Sequence, residues 1–381
     1  MKYAVVGFGT AGYHAVKKIR ELDKEGCIDV YSNTGRAPYN PMLTTYYAFG
    51  KLEYEGMFPF GDLEQIQKEV DFNLRREQVI KVHGSEHLVE TENGSEQYDR
   101  ILIATGARAF APPVKGLEPE DAFLMRTVED ALRFKDRLKK NDIKHAVVIG
   151  ASMAGIKVVE VLHKYGIETW LLDLASYIFP LAAYKEVAKE IEKRVEAQGV
   201  HLMFGVTIDH MEQENGEKTA VLTDGSRIPA DIVGLCIGTR AITETVQGEV
   251  EIGRGIVVDD HMRTSVPGIY AAGDCCEGNN LESGQNQIIG LWANANHQGE
   301  TAGINMAGGD MAYKGNILHN ITHFMNMDFI GFGDNRMQGE VLEYGSLSED
   351  LYIRLVLDGK RIVGANILDN YRVSGIVKNY M

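Results

Sequence analysis

A chain of 381 residues and 42.2 kDa exceeds one ordinary hydrophobic core and suits two or three domains. Its 39 basic and 54 acidic residues leave a net charge of −15, a poor balance for a nonspecific nucleic-acid binder. No apolar stretch reaches the ~18 residues of a membrane span, and the four cysteines lack CxxC or Cys/His spacing, which argues against a disulfide scaffold, a metal site or an iron–sulfur cluster.

Met1-Lys2 runs straight into Tyr3–Val6, a short apolar strand that leaves no room for a signal peptide, so a cytoplasmic protein is expected. The strand opens onto Gly7-Phe8-Gly9-Thr10-Ala11-Gly12. A helical pattern follows through Ala15, Val16, Ile19 and Leu22, and then a second strand, Ile28–Tyr31. Strand, glycine turn, helix, strand is the context in which GxGxxG binds a dinucleotide. Gly7 permits the tight turn, Gly9 lets a pyrophosphate approach the backbone, and Gly12 allows close helix packing. The first helical N–H groups, from Thr10 and Ala11 onward, face the phosphates.

Residues 79 to 103 carry short alternating segments that end in a buried strand, Ile101–Ala104, before Thr105-Gly106. Phe110-Ala111-Pro112-Pro113 then marks a crossing between domains. The glycine motif recurs about 143 residues after the first. Ala146–Ile149 precede Gly150-Ala151-Ser152-Met153-Ala154-Gly155, with Val158, Val159 and Leu162 at helical spacing and a strand ending at Asp173. Ser152 replaces the middle glycine, a small change that still admits a dinucleotide if its backbone stays in an ordinary region. Asp173 lies 18 residues after Gly155, where a carboxylate can accept hydrogen bonds from a ribose diol. It would repel a 2′-phosphate, and Leu174, Ala175 and Ser176 supply no cation, so NAD(H) is expected over NADP(H). The first copy has Ser32-Asn33-Thr34 at the corresponding place, with Arg36 just beyond.

An amphipathic helix is expected at 184 to 198, strands between 200 and 235, and a return strand, Ile232–Leu235, leading to Gly238. Residues 256 to 274 end in Gly273-Asp274, and Gly290 to Gly303 read as helix. From about 320 the pattern becomes short strands, with Asp358-Gly359 as a hairpin turn. His83/His87 and His319/His323 are each four apart but lack a third ligand, and no metal site is expected.

Taken together these motifs resemble the pyridine nucleotide–disulfide oxidoreductase superfamily over the whole chain. The chain looks closest to NADH:rubredoxin and ferredoxin reductases and to the flavoprotein domain of nitrite reductase. The resemblance implies an α/β protein with two Rossmann-like domains and a small C-terminal α+β domain. Residues 1–110 and 243–317 would form the FAD domain, 111–242 an inserted NAD(H) domain, and 318–381 the C-terminal domain. FAD would contact Gly7, Gly9, Thr10, Ala11, Gly12, Asn33, Arg36, Thr105, Gly106, Gly273 and Asp274. NAD would contact Gly150, Ser152, Met153, Ala154, Gly155, Asp173 and Gly238. The helix around Gly290–Gly299 resembles the one that closes over the flavin in that group.

Departures from the family matter as much. Pro41-Met42-Leu43-Thr44-Thr45-Tyr46-Tyr47 aligns with a segment that carries a redox cysteine in some members, and Met42 stands in its place. A thioether cannot form a thiolate or a mixed disulfide, so thiol-based reduction there is not expected. Cys275 resembles a small buried residue beside the FAD phosphates. A vicinal redox pair with Cys276 is the lesser alternative, because adjacent Cα atoms lie about 3.8 Å apart, below the usual ~4.4–6.8 Å. Lys157 occupies a position that is often Glu in the family.

The chemistry needs little acid–base work from side chains, since hydride passes directly between nicotinamide and flavin. Flavin-proximal candidates are Tyr39, Asn40, Pro41, Met42 and Thr44, on a stiff Pro-Tyr-Asn-Pro stretch, with Lys51 as the nearest lysine and Lys157 as a further charge. The expected activity is FAD-dependent NADH oxidation, with electrons delivered to rubredoxin, ferredoxin or another iron–sulfur protein. Three alternatives stay open: an NADH-oxidising subunit of an iron–sulfur, molybdenum or tungsten enzyme, an NADH oxidase using oxygen, and a flavin-bearing interaction protein without turnover. Partners would be a small redox protein or an iron–sulfur subunit, not nucleic acid or membrane, in a homodimer or a hetero-oligomeric complex.

Overall fold

The computed structural model describes residues 1–347 and 351–381. By its contacts the chain divides into two compact units: Met1–Asn40, Glu53–Arg108 and Arg240–Asn316 in the first, and Pro41–Leu52, Ala109–Thr239 and Ile317–Met381 in the second. Both units contain a Rossmann-like dinucleotide-binding region.

In the first unit, five parallel strands run in the order Ile269–Ala271, Arg100–Ile103, Lys2–Val6, Cys27–Tyr31, Asn73–Arg75. The apolar runs read from sequence lie at its centre: Tyr3, Ala4, Val5, Ile101, Leu102 and Ile103 are fully buried, as a parallel sheet covered on both faces requires. Helix Thr10–Leu22 buries Ala15, Val16 and Ile19 as its 3.6-residue period predicts. Leu22 departs from that reading, since it sits at the last turn and is exposed. Helix Trp292–Met306 packs against this first helix through glycines. A Cβ on Gly299 would lie 2.3 Å from the Ala11 carbonyl oxygen, and one on Gly303 2.5 Å from that of Ala15. Only glycine lets the two backbones come so close.

The second unit repeats the plan. Its parallel strands run His201–Phe204, Glu168–Asp173, His145–Ile149, Ile232–Leu235, Ala122–Phe123. Each unit also carries a three-stranded antiparallel sheet: Val79–His83, Leu88–Thr91, Gly94–Gln97 in the first, and Ile208–Glu214, Glu217–Leu222, Arg227–Pro229 in the second. Helix Lys185–Glu196 occupies the charged amphipathic stretch.

The C-terminal residues of the second unit form an antiparallel sheet in the order His319–Phe324, Met327–Gly333, Arg361–Leu368, Leu351–Asp358, Glu340–Ser346. The hairpin strands are longer than their apolar cores suggest, so Gly359 and Lys360 make the turn and Asp358 pairs with Arg361. One face of this sheet enters the core of the same unit, where Phe179 stacks on Phe329 with ring centres 5.2 Å apart. The other face carries Ile330, Phe332, Ala365 and Ile367, packed with Val373, Val377 and Met381 from the terminal helical segment.

Candidate dinucleotide sites and a buried charge cluster

The two glycine loops are near copies in backbone geometry. Gly7 has φ +105° and Gly150 φ +103°, and a Cβ on either would meet a carbonyl oxygen at 2.3 Å, that of Ala104 or of Cys236. A Cβ on Gly12 would lie 2.2 Å from the Gly7 oxygen, and one on Gly155 1.9 Å from the Gly150 oxygen. These four glycines are thus demanded by the chain's own backbone.

Gly9 is different. Its φ of −82° and ψ of −168° suit any residue, and a Cβ there would meet nothing within 4 Å. Gly9 also caps helix Thr10–Leu22 without a side-chain hydrogen bond, so the protein itself gives no reason for a glycine. A phosphate approaching the helix N-terminus would supply one. Other residues of this unit suit the same group. The Gly273 N–H donates to Gln298 Oε1 at 2.9 Å, while the buried Gln298 Nε2 and Trp292 Nε1 have no partner among the described residues. Thr10 Oγ1 bonds to Asn296 Oδ1, and Ala11 meets a Cβ placed on Gly273 at 3.1 Å, which brings Gly273-Asp274 to the loop. The residues present fit an FAD pyrophosphate.

The remaining first-unit candidates are placed as follows. Thr105 Oγ1 donates to the Ile242 carbonyl at 2.6 Å, and the Gly106 carbonyl accepts from Ile242 N at 2.9 Å, so both tie the strand end to the returning chain. Asn33 is exposed and donates its amide to Gln78 at 2.8 Å, and Arg36 donates to the Tyr54 hydroxyl at 2.6 Å. Tyr39 packs edge-on to Phe58, and Asn40 N donates to the Met57 carbonyl.

In the second loop Ser152 keeps an extended backbone, φ −93° and ψ 176°, so the replacement of glycine costs no strain. Its Oγ accepts from Gly155 N at 3.3 Å and donates to the Cys236 carbonyl at 3.1 Å, which caps helix Met153–Lys164. Asp173 takes the Ala151 N–H at 2.7 Å on one oxygen and the Ala175 N–H at 2.8 Å on the other. Those bonds orient the carboxylate and use two of its ~4 lone-pair positions, leaving the rest for a ribose diol. Gly238, at φ +100° with open space at its Cβ position, follows the return strand. This set fits NAD.

A cluster that sequence reading did not anticipate lies deeper in the second unit. Lys157 and Glu160, one helical turn apart, have side chains only 8% exposed and form a close ion pair. Lys157 Nζ also donates to the His323 carbonyl at 2.8 Å and lies 4.6 Å from the centre of the Tyr46 ring. Glu160 accepts from Lys51 Nζ at 3.2 Å and from Met325 N at 3.2 Å. Burial lowers the Lys157 pKa. Burial would raise that of Glu160, but the bonds from Lys157 and Lys51 outweigh it and hold the carboxyl below its ordinary value. Two ammonium groups on one carboxylate leave the cluster one positive charge in excess. Lys51, a flavin-proximal candidate, contacts Glu160 and lies 4.3 Å from the centre of the Phe49 ring and 5.7 Å from that of Tyr46. Glu160 lies among the apolar residues Ile156–Leu162, and a carboxylate three residues after a lysine in such a run was the available signal.

Met42 is 55% exposed, just ahead of helix Leu43–Phe49. Thr44 is fully buried and donates to the Pro41 carbonyl at 2.7 Å. Cys275 and Cys276 are free and buried, with their thiols on backbone carbonyls. His83 is paired with Glu90 and His323 with Asp328, each at 2.7 Å.

A profile described as Pyridine nucleotide-disulphide oxidoreductase matches residues 1–299. The chain belongs to that family. It is 28% identical over 348 residues to the NADH-dependent phenylglyoxylate dehydrogenase subunit epsilon of Aromatoleum evansii, covering 90% of this chain and 82% of the relative. It is 28% identical over 310 residues to the 3-phenylpropionate/cinnamic acid dioxygenase ferredoxin–NAD(+) reductase component of Photorhabdus laumondii subsp. laumondii, covering 80% and 77%. A water-forming NADH oxidase from Lactobacillus brevis, solved with NADH bound, superposes with a TM-score of 0.91 at 24% identity, over 100% of this chain and 89% of that one. At that identity the superposition establishes the fold. Among the described residues, no helix of this family member is long and apolar enough to cross a membrane.

Proposed function

We propose that this family member is an FAD-dependent NADH oxidoreductase that hands electrons to a small iron–sulfur protein of the rubredoxin or ferredoxin kind. The observation that carries the reading is Gly9, an unstrained and unobstructed glycine at a helix N-terminus; within the second unit, a loop of matching geometry has Asp173 bonded to its Ala151 N–H. When bound, FAD accepts hydride from NADH and can release the electrons one at a time.

The chain's own residues bind and orient. Gly9, Thr10, Ala11 and Gly12 offer backbone donors to the FAD pyrophosphate, Gly7, whose N–H is held by the Tyr31 carbonyl, makes the turn that presents them, and Thr105, Gly106, Gly273 and Asp274 border it. Asn33 and Arg36 stand where the first copy would meet a ribose. Ser152, Met153, Ala154 and Gly238 line the NADH site, Gly150 and Gly155, whose N–H groups are held by the Leu172 carbonyl and Ser152 Oγ, shape its turn, and Asp173 selects the unphosphorylated ribose. Tyr39, Asn40, Pro41, Met42 and Thr44 are the ring-lining candidates, and Met42 excludes a thiolate at its own position. Lys51 and Lys157 contribute charge through Glu160. The ferredoxin–NAD(+) reductase relative supports the choice of acceptor.

A second reading, an NADH-oxidising subunit of a larger enzyme, is supported by the subunit relative, whose length this chain largely spans. One experiment tests both. Purified protein loaded with FAD is mixed with NADH or NADPH in a stopped-flow instrument, and rubredoxin or ferredoxin is then added. Fast loss of flavin absorbance with NADH, followed by fast acceptor reduction, supports the stand-alone reductase. Fast loss without acceptor reduction favours the subunit reading, and failure to take up FAD removes both.

A further inference from the structure

One face of the C-terminal sheet is fitted to a single loop. Phe329 and Gly331 on strand Met327–Gly333, and Asn366 opposite Gly331 on Arg361–Leu368, all meet residues 179–184. Asn366 is fully buried; its Nδ2 donates to the Ala182 carbonyl at 2.9 Å, and its Oδ1 accepts from Tyr184 N at 2.7 Å. Asn335 Nδ2 donates to the Pro180 carbonyl at 3.0 Å and to the Ala183 carbonyl at 2.7 Å. A Cβ on Gly331 would lie 2.8 Å from the Ala182 oxygen, so the strand backbone rests directly on the loop.

The loop in turn holds the second glycine motif. Phe179 N–H donates to the Ala151 carbonyl at 2.9 Å, and the Ala151 N–H goes to Asp173 Oδ2 at 2.7 Å. Both backbone polar groups of the residue between Gly150 and Ser152 are therefore gripped by residues 173–179. Phe179 does this at φ +54°, a conformation that a bulky side chain rarely adopts. The C-terminal sheet keeps it there: its ring, 2% exposed, stacks on Phe329 at 5.2 Å and meets Phe324 edge-on at 5.5 Å. Its carbonyl accepts from Ala182 N at 2.9 Å and Ala183 N at 2.8 Å, the two residues whose own carbonyls the asparagines hold. Backbone strain of this kind persists only where surrounding contacts over-determine it, and it gathers at functional sites.

We infer that Phe179, Asn335 and Asn366 are positioning residues for NADH, which keep Ala151 and the glycine loop around it in the binding form. The inference rests on the reading of that loop as the NADH site. With the sheet anchors cut, Phe179 is free to return to a negative φ, where it cannot keep both its bond to Ala151 and its ring contacts. Glu192 of helix Lys185–Glu196 still takes the Ile178 N–H at 3.0 Å, so the loop loosens without unfolding. A loop that spends only part of its time in the binding form raises the apparent Kd by the inverse of that fraction, so a population of about one tenth gives about 10-fold. The C-terminal sheet thereby enters NADH affinity through backbone geometry.

The test uses the full chain with FAD bound. NAD+ is titrated by calorimetry, and flavin bleaching by NADH is followed in a stopped-flow instrument. Asn335→Ala and Phe179→Leu should each weaken NAD+ about 5- to 20-fold and raise the half-saturating NADH concentration in proportion, with the bleaching rate at saturating NADH within about 2-fold of native. Val377→Ala, which thins the opposite face of the same sheet, should lower the melting temperature yet leave NAD+ affinity within about 2-fold. Coupling is reciprocal, so NAD+ should also slow hydrogen exchange across residues 179–184 of the native protein, a measurement that needs no variant. Unchanged NAD+ affinity in either loop variant, equal weakening by Val377→Ala, or no slowing of exchange at 179–184 would overturn the inference and leave the NADH reading standing. A native protein that holds FAD but neither binds NAD+ nor bleaches with NADH would overturn that reading and this inference with it.

Discussion

Removing the negative charge of Glu160 should cost more stability than removing the positive charge of Lys157, and removing both should cost less than removing Glu160 alone. With Glu160→Gln, the Lys157 ammonium loses its carboxylate partner and keeps neutral acceptors such as the His323 carbonyl at 2.8 Å, in a position 8% exposed. Breaking a buried ion pair from one side costs roughly 3–5 kcal/mol. For a unit of about 200 residues that corresponds to a melting-temperature drop of roughly 6–20 °C. Lys157→Met keeps the apolar stem and leaves Glu160 with Lys51 and the Met325 N–H, so a loss of about 1–3 kcal/mol is expected. In the double variant no ammonium is stranded, and a coupling of roughly 2 kcal/mol should make it more stable than Glu160→Gln. Urea denaturation of all four proteins, followed by circular dichroism at neutral pH, measures this cycle. The difference between native protein and Glu160→Gln should also narrow in acid. The Glu160 carboxyl is held below its ordinary value, so its stabilisation is present above the unfolded pKa near ~4.3 and is lost as pH falls through the folded value. Additive losses, or a double variant less stable than Glu160→Gln, would refute the reasoning.

Gly9→Ala should fold with an unchanged melting temperature in the FAD-free form, because its Cβ meets nothing, yet retain FAD at least 10-fold more weakly, as flavin fluorescence on dialysis would show. Gly7→Ala, by contrast, should lose stability with or without FAD, since its φ is +105° and its Cβ would lie 2.3 Å from a carbonyl oxygen. Asp173→Asn should narrow the preference for NADH over NADPH by about 10-fold in kcat/KM, because the amide keeps a ribose acceptor but drops the repulsion of a phosphate. Replacing Cys27 and Cys236 with Ser and Ala, and Cys275 and Cys276 with Ala, should leave stopped-flow flavin reduction within about 3-fold of the native rate. A larger loss would return a thiol to the chemistry.

The parts legible in the sequence are those written in local pattern. Apolar runs of four or five residues named the central parallel strands, and the glycine spacing named the turns, because strand burial and positive φ each impose a residue type at the position itself. Family membership follows from the same order of motifs, matched over residues 1–299. Asp173 was readable too, since it ends a strand whose register fixes its place beside the second loop.

Other features depend on contacts that no local pattern encodes. Gly7 and Gly9 look alike in sequence, but only the fold shows that one is required by the backbone and the other leaves space for something outside it. Residues 41–52 follow the first unit in sequence, yet their contacts place them in the second. Lys51, Lys157 and Glu160 come from two segments about a hundred residues apart, and the backbone partners His323 and Met325 lie farther still along the chain. Sequence alone determined the two nucleotide-binding folds, through short-range sterics and burial. Tertiary structure decided how the charges pair, because desolvation and Coulomb attraction depend on distances set only when remote segments meet.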